Sequence, residues 1–375
     1  MKARLVGVAA AALVTCAPAA HAAAPPVSAR AFLVEDGTTG EVLARRADRA
    51  RLPIASITKL MTALLTLERA RLSDVVTVDA PAAGVGESSI HLRAGERLTV
   101  HDLLEGALIQ SANDAADALA DYVGGGSTAR FVALMNHRAA ALGLTGTHFV
   151  RPDGLDAAGH VSTAYDVTRL ARLAMRKTAV RAIVRQRTAT ISGGRTLHTW
   201  NDLLGSFPGL VGVKTGHTAG AGWCEVAAAR RGGVTVYATV LGSPTRSQRN
   251  ADVAALLRWG FAQYRPAWVI APRRVYARVE TGYGRDAVPL VAQRAALKPV
   301  RVDRPLVERV VARAAATLPV RRGQRLGEVR VYSGRRLVAR RPLVAAVSVA
   351  KPGLGGRASF YARRTFHHLW AGLGG

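Results

Sequence analysis

The chain has 375 residues, 49% of them hydrophobic and 21% charged. This length and balance suit one large domain with a smaller one, or two medium domains, and exclude a disordered polymer. The formal net charge is +27, and from Gly260 onward 23 Lys and Arg stand against 5 Asp and Glu, which supplies +18 of it. Such a surface suits an anionic neighbour such as phospholipid headgroups or wall polymers.

The first 22 residues read as a secretory signal. Lys2 and Arg4 form a basic start, Leu5 to Val14 is an apolar run too short to span a bilayer, and Ala20-His21-Ala22 fits a small-residue cleavage site. An exported protein meets no nucleic acid, so the positive charge does not imply that partner. Leu13-Val14-Thr15-Cys16 loosely resembles a lipoprotein cleavage site, although threonine before the cysteine fits it poorly. With Cys16 removed, Cys224 is the only cysteine left; it cannot form an intramolecular disulfide and reads as a small buried residue.

Val27 to Leu33 and Glu41 to Ala44 read as strands joined by the turn Asp36-Gly37-Thr38-Thr39-Gly40. Ile57, Leu60, Met61, Leu64 and Leu65 then recur at helical spacing from Ser56 to about Ala70. Thr99 and Asp102 open a helix that runs through Gln110. Further helices are expected over Ala115–Val123, Thr128–Leu142 and Val161–Met175. Strand signals return at Val211–Lys214, Glu225–Arg230 and Val234–Leu241, and a helix follows from about Ser247 to Tyr264. The N- and C-terminal strands are expected to share one antiparallel sheet flanked by helices, an α+β domain over 23–264 with an all-helical insertion. Residues 265–350 read as a small β-rich domain, and 351–375 as a linker and a helix over Phe360–Leu373. On that helix Ala362, Phe366, Leu369, Trp370 and Leu373 gather opposite Arg363, Arg364, His367 and His368, a pattern suited to an anionic membrane surface. The same helix could instead dock on its own domain.

Three short segments carry chemistry. Ser56 and Lys59 share a helical face, where an amine of lowered pKa could take the hydroxyl proton. Ser111-Ala112-Asn113 places two hydrogen-bonding side chains at the end of a helix, and Lys214-Thr215-Gly216-His217 lies on a strand ending in glycine. Each alone has an ordinary reading as a cap or a strand end. Together, in this order, they resemble the three signatures of penicillin-binding proteins and serine β-lactamases. Ile90 to Glu96, Pro152-Asp153-Gly154-Leu155, Ser162 to Asp166 and Lys214 to Thr218 further resemble the low-molecular-weight D-alanyl-D-alanine carboxypeptidases, over about Val27 to Tyr264.

The resemblance implies a penicillin-binding, transpeptidase-like fold and a peptidoglycan stem peptide ending in D-Ala-D-Ala as substrate, with β-lactams as acylating ligands. Ser56 would be the nucleophile and Lys59 its base, with Lys214 as a second cation that keeps Lys59 competent. Ser111 and Asn113 would relay protons and hold the substrate amide. The backbone N–H groups of Ser56 and His217 would form the oxyanion hole. Thr215, Gly216 and Thr218 would line the substrate strand, and Arg249 would grip the terminal carboxylate as a planar fork. The chain departs from the family in placing Trp200, where an arginine can stand, before Asn201-Asp202-Leu203-Leu204. No metal or other cofactor is implied: the ten histidines show no metal-binding spacing, and His148, His160 and His198 read as solvated or structural. A β-lactamase is disfavoured by the lack of a Glu-x-x-Leu-Asn segment between the second and third boxes. An endopeptidase, a transpeptidase or a catalytically silent wall-binding protein could be built on the same fold.

Overall fold

A computed structural model describes the backbone at residues 10–14 and 23–371, and side chains at 23–363 and 365. The basic start of the expected signal, its cleavage site, Cys16 and the extreme C-terminus lie outside the described residues. The chain divides into two compact units, one over Ala23–Ala262 and the other taking in Gln263 onward.

The first unit is built on a five-stranded antiparallel sheet. Its strands are β1 (Ala31–Asp36), β2 (Val42–Arg46), β3 (Leu210–Thr218), β4 (Gly222–Arg231) and β5 (Val234–Ser243), in the order β2-β1-β5-β4-β3. The central strands are apolar on both faces because both are covered. Helix α6 (Arg246–Ala262) lies on one face, so close that a Cβ on Gly260 would sit 2.7 Å from Val236 Cγ1 and 3.2 Å from Val34 Cγ1. On the other face α5 (Ala164–Ala174) hydrogen-bonds the sheet through Thr168 and Thr239, 2.6 Å apart.

Between β2 and β3 stand the inserted helices: α1 (Lys59–Arg69), α2 (Val100–Glu105), α3 (Asn113–Val123) and α4 (Thr128–Ala141), with α5 following. Thr99 and Asp102 cap α2 reciprocally: each side chain accepts from the other's backbone N–H. The sequence predicts one helix through Gln110. Instead α2 loosens into a π turn over Gly106–Gln110 and stops at Ser111, whose φ of 65° is left-handed. One extra residue per turn re-aims the chain end, and periodicity cannot register that. The two apolar faces meet in a core that includes Ile57, Leu60, Leu64, Leu103, Leu119 and Phe131.

The second unit has its own core, with Ile270, Val279, Val288, Leu290, Val329 and Leu343. Its main sheet orders Ala10–Val14, Leu306–Ala312, Arg325–Ser333, Arg336–Ala345, Val288–Ala292, Val275–Thr281 and Ala315–Ala316. Tyr264–Ile270 pairs separately with Ala296–Arg301. Helix α7 covers Leu354–Ala371, so Gly355 and Gly356, read from sequence as linker, are helical. Its second turn rests on the unit: Tyr283 meets the rings of Phe360 and Tyr361 at 5.9 and 6.1 Å. Among the described residues no helix is long and apolar enough to cross a membrane.

Candidate active site

Ser56 sits in a 3-10 turn over Ala55–Thr58 that runs directly into α1. Ala55 is held at φ +48°, a strained conformation for a residue with a Cβ, and it turns the serine toward β3. Gly154, at φ +90°, lies so near the Ala55 carbonyl that a Cβ there would clash. Thr62 Oγ1 donates to Pro152 O at 2.6 Å, which fastens this loop to α1.

Lys59 is fully buried behind Ser56. Its Nζ donates to Ser56 Oγ at 2.8 Å, Asn113 Oδ1 at 2.6 Å and the Asp153 carbonyl at 2.7 Å. Three acceptors match the three donors of an ammonium, yet burial brings its pKa down to about 8, against the opposing pull of Asp153, Asp117, Asp114 and Glu87. Asp117 is itself pushed up to about 8, first by burial and then by Asp153.

The second box arrives on α3 and the π turn. Asn113 donates from Nδ2 to Gly86 O at 3.0 Å and from its backbone to Ser88 O at 2.7 Å. Asp114, fully buried, accepts from Ser89 Oγ and from the backbones of Ile90 and Leu92, which ties that loop to the helix start. The left-handed Ser111 presents its hydroxyl to Lys214, whose Nζ donates to Ser111 Oγ at 2.8 Å and to Thr215 O at 2.9 Å.

Lys214 therefore engages Ser111 directly and couples to Lys59 through charge. Burial depresses Lys214 well below the ordinary lysine range, and Lys59 and Arg249 depress it further. Desolvation is the largest cause of the lowered pKa that makes Lys59 a base.

Strand β3 passes close to the serine because residue 216 is glycine: a Cβ there would lie 2.9 Å from both Ser56 N and Ile54 O. Beyond it His217 stacks on Trp223 of β4, ring centroids 4.0 Å apart. Ser56, Ser111, Thr215, Gly216, His217 and Arg249, with Glu87, Ser88, Trp200 and Trp223, line a pocket of about 230 Å³. Thr218 does not reach it. Its hydroxyl donates to Asp156 Oδ1 at 2.6 Å and accepts from Ala221 N, so it shapes the turn after β3.

Arg249, only 1% exposed, stands at the far end of the pocket. Its Nε is 3.2 Å from Glu225 Oε2, and one terminal nitrogen is 3.2 Å from Asp202 Oδ2 and 2.6 Å from Asn250 Oδ1. Neither acidic partner stood out in the sequence, because a lone glutamate in an apolar strand carries no motif. Trp200 occupies the pocket rim, with its indole N–H donating to Gln110 O at 2.9 Å and Arg246 over its ring at 5.2 Å. Arg246 meanwhile binds Asp202, whose carboxyl it holds below the usual range.

His160 is buried and structural. Its Nδ1 accepts from the backbones of Val150 and Arg151, its Nε2 lies 2.7 Å from Thr58 Oγ1, and burial lowers its pKa to about 4. One group of metal-ligand type occurs among the described residues: His101, Asp102 and Glu105 bring ligand atoms within 4.8 Å. Asp102 is engaged by Thr99 and Ser192, and Glu105 by Gln186, so this donor set is already used.

A profile of the D-alanyl-D-alanine carboxypeptidase family matches residues 18–245. The chain is 35% identical over 383 aligned positions to the D-alanyl-D-alanine carboxypeptidase DacC of Escherichia coli, covering 95% of this chain and 94% of that protein. The crystal structure of the Streptomyces K15 DD-transpeptidase superposes with a TM-score of 0.61 at 36% identity, covering 64% of this chain and all of that one. The carboxypeptidase DacD of Francisella tularensis, at 23% identity, shares the fold over 90% of this chain and 97% of its own, with a TM-score of 0.65. With its sheet, its inserted helices and its Ser56–Lys59 pair in place, the chain belongs to the D-alanyl-D-alanine carboxypeptidase family.

Proposed function

We propose that this enzyme removes the terminal D-alanine from peptidoglycan stem peptides through an acyl-enzyme on Ser56. The observation that carries the reading is the 2.8 Å contact from the fully buried Lys59 amine to Ser56 Oγ. A buried lysine sheds its proton near neutral pH and can then accept one from the hydroxyl as it attacks. The carbonyl carbon between the two D-alanines becomes tetrahedral. Its oxyanion is held by the backbone N–H groups of Ser56 and His217, each such donor being worth about 3 kcal/mol of barrier. Asn113 orients the peptide, and the Ser111–Lys214 pair passes a proton to the departing D-alanine nitrogen. Arg249 and Thr215 hold the terminal carboxylate, so a free C-terminus is selected. The proton that Lys59 took from Ser56 replaces the one given up by the Ser111–Lys214 pair. Lys59, neutral again, takes a proton from the water that cleaves the ester.

A β-lactam places its carbonyl and carboxylate in the same positions and acylates Ser56. The same site suits transfer to an amine in place of water, the activity named for the Streptomyces K15 relative. We further assign the protein to the outer face of the cytoplasmic membrane after export. Helix α7 would lie along the anionic surface through its basic residues.

The test compares the wild-type enzyme with Ser56→Ala on a diacyl tripeptide ending in D-Ala-D-Ala. Free D-alanine is expected from the wild type alone, and labelled penicillin should attach to Ser56 and nowhere else. Equal release by the two proteins would end this reading.

A further inference from the structure

Glu225 is an unexpected residue beside this site. It lies directly across from Thr215 in the β3–β4 ladder, and register partners project to the same face of a sheet. Its side chain is fully buried, and its carboxyl oxygens lack hydrogen bonds of good geometry, with only Arg249 Nε at 3.2 Å and the Asn201 side chain set against them. A buried acid without such bonds is costly, and no step of the proposed reaction uses it. Arg249 of α6 faces it across 3.2 Å, Lys214 of β3 and Asp202 and Asn201 of the loop before β3 surround it, and Cys224 is its chain neighbour. Asp202 also touches Arg249, at 3.2 Å, and Arg246 lies beyond it. The cation that faces the pocket therefore has two acidic partners before any substrate arrives.

We propose that the protonation state of Glu225 sets how strongly Arg249 binds the substrate's terminal carboxylate. With Glu225 neutral, Arg249 has Asp202 as its one anionic partner and charge remaining for the substrate. With Glu225 ionised, it and Asp202 together balance Arg249 and Arg246, and the attraction for a further carboxylate weakens. The inference rests on the reading of Arg249 as carboxylate anchor.

The changeover falls in the working range. Burial pushes Glu225 up to about 7; Asp202 acts in the same direction, while Arg249, Asn201 and Lys214 oppose it. Substrate affinity is then highest below pH 7 and declines as pH rises through that value. Linkage is reciprocal: a substrate carboxylate that prefers neutral Glu225 raises its proton affinity, so binding above pH 7 takes up a proton from solvent and product release returns it. Neutral Lys59 requires the opposite direction, toward pH 8, so kcat/KM should peak between the two.

Binding is measured on Ser56→Ala protein, which holds the diacyl tripeptide without turnover. Its Kd is expected to rise about fivefold or more from pH 6 to 8.5, a typical coupling between two sites. At pH 7.5, calorimetry in two buffers of different ionisation enthalpy should register proton uptake. A peptide with a C-terminal amide should show neither effect, and adding Glu225→Gln should flatten the pH dependence for the acid. Should the Gln variant fail to fold, proton uptake by the Ser56→Ala protein decides alone: its absence overturns the proposal. Arg249→Gln separates the two readings. If it leaves Kd unchanged, the anchor assignment is wrong; if it weakens binding tenfold while Kd stays flat with pH, only the role of Glu225 falls.

Discussion

At the scale of single residues, reactivity here comes from where charged groups are placed. Lys59 would be an inert cation in water; its pKa of about 8 comes from complete burial, partly offset by four carboxylates. The rate of Ser56 acylation is expected to rise with pH along a limb near 8, because the neutral amine is the active form. Asp117, when ionised, stabilises the Lys59 cation. Asp117→Asn should therefore shift that limb to lower pH, which rapid-mixing acylation by a chromogenic β-lactam would follow; a shift to higher pH would contradict the assignment. Folding stability follows the same sign. Between about pH 8 and the ordinary lysine value, the unfolded chain holds a proton that the native Lys59 has lost, so this residue's contribution to stability increases with pH there.

At the scale of elements, three pieces converge on one cleft: a 3-10 turn entering α1, a π turn leaving α2, and the edge strand β3. The close approach of β3 to Ser56 requires Gly216, since the atoms a Cβ would meet at 2.9 Å are backbone and cannot move aside. Gly216→Ala is expected to lower the acylation rate at least about a hundredfold, the effect of displacing an oxyanion donor. Its thermal unfolding midpoint should move by only a few degrees, because the substitution lies on an edge strand. An unchanged acylation rate would mean that β3 does not supply the donor.

At the scale of the whole molecule, each unit closes its own core, and the residues proposed for catalysis all lie within Ala23–Ala262. Truncation before Leu354 should leave hydrolysis of the soluble tripeptide unchanged while abolishing sedimentation with vesicles rich in anionic lipid. Since Phe360 and Tyr361 pack on Tyr283, a modest drop in the stability of the second unit is also expected. Loss of tripeptide hydrolysis with the tail would assign it a structural role instead of an anchoring one.

Hydrophobic periodicity and turn residues by themselves determined the helices around Ser56, Thr128 and Thr163 and the five strands of the first unit's main sheet, while the second unit read only as β-rich. These are local signals: a period of 3.6 or 2, a capping Thr99 with Asp102, a run ended by glycine. The three boxes were likewise legible, because their chemistry demands particular side chains in a particular order. Only the tertiary structure decided how those side chains are used. It paired Lys214 with Ser111 and Thr218 with Asp156, and it set Glu225 of one strand beside Arg249 of the following helix. Burial and electrostatic fields depend on what the fold brings close from distant parts of the chain, and no local pattern records that.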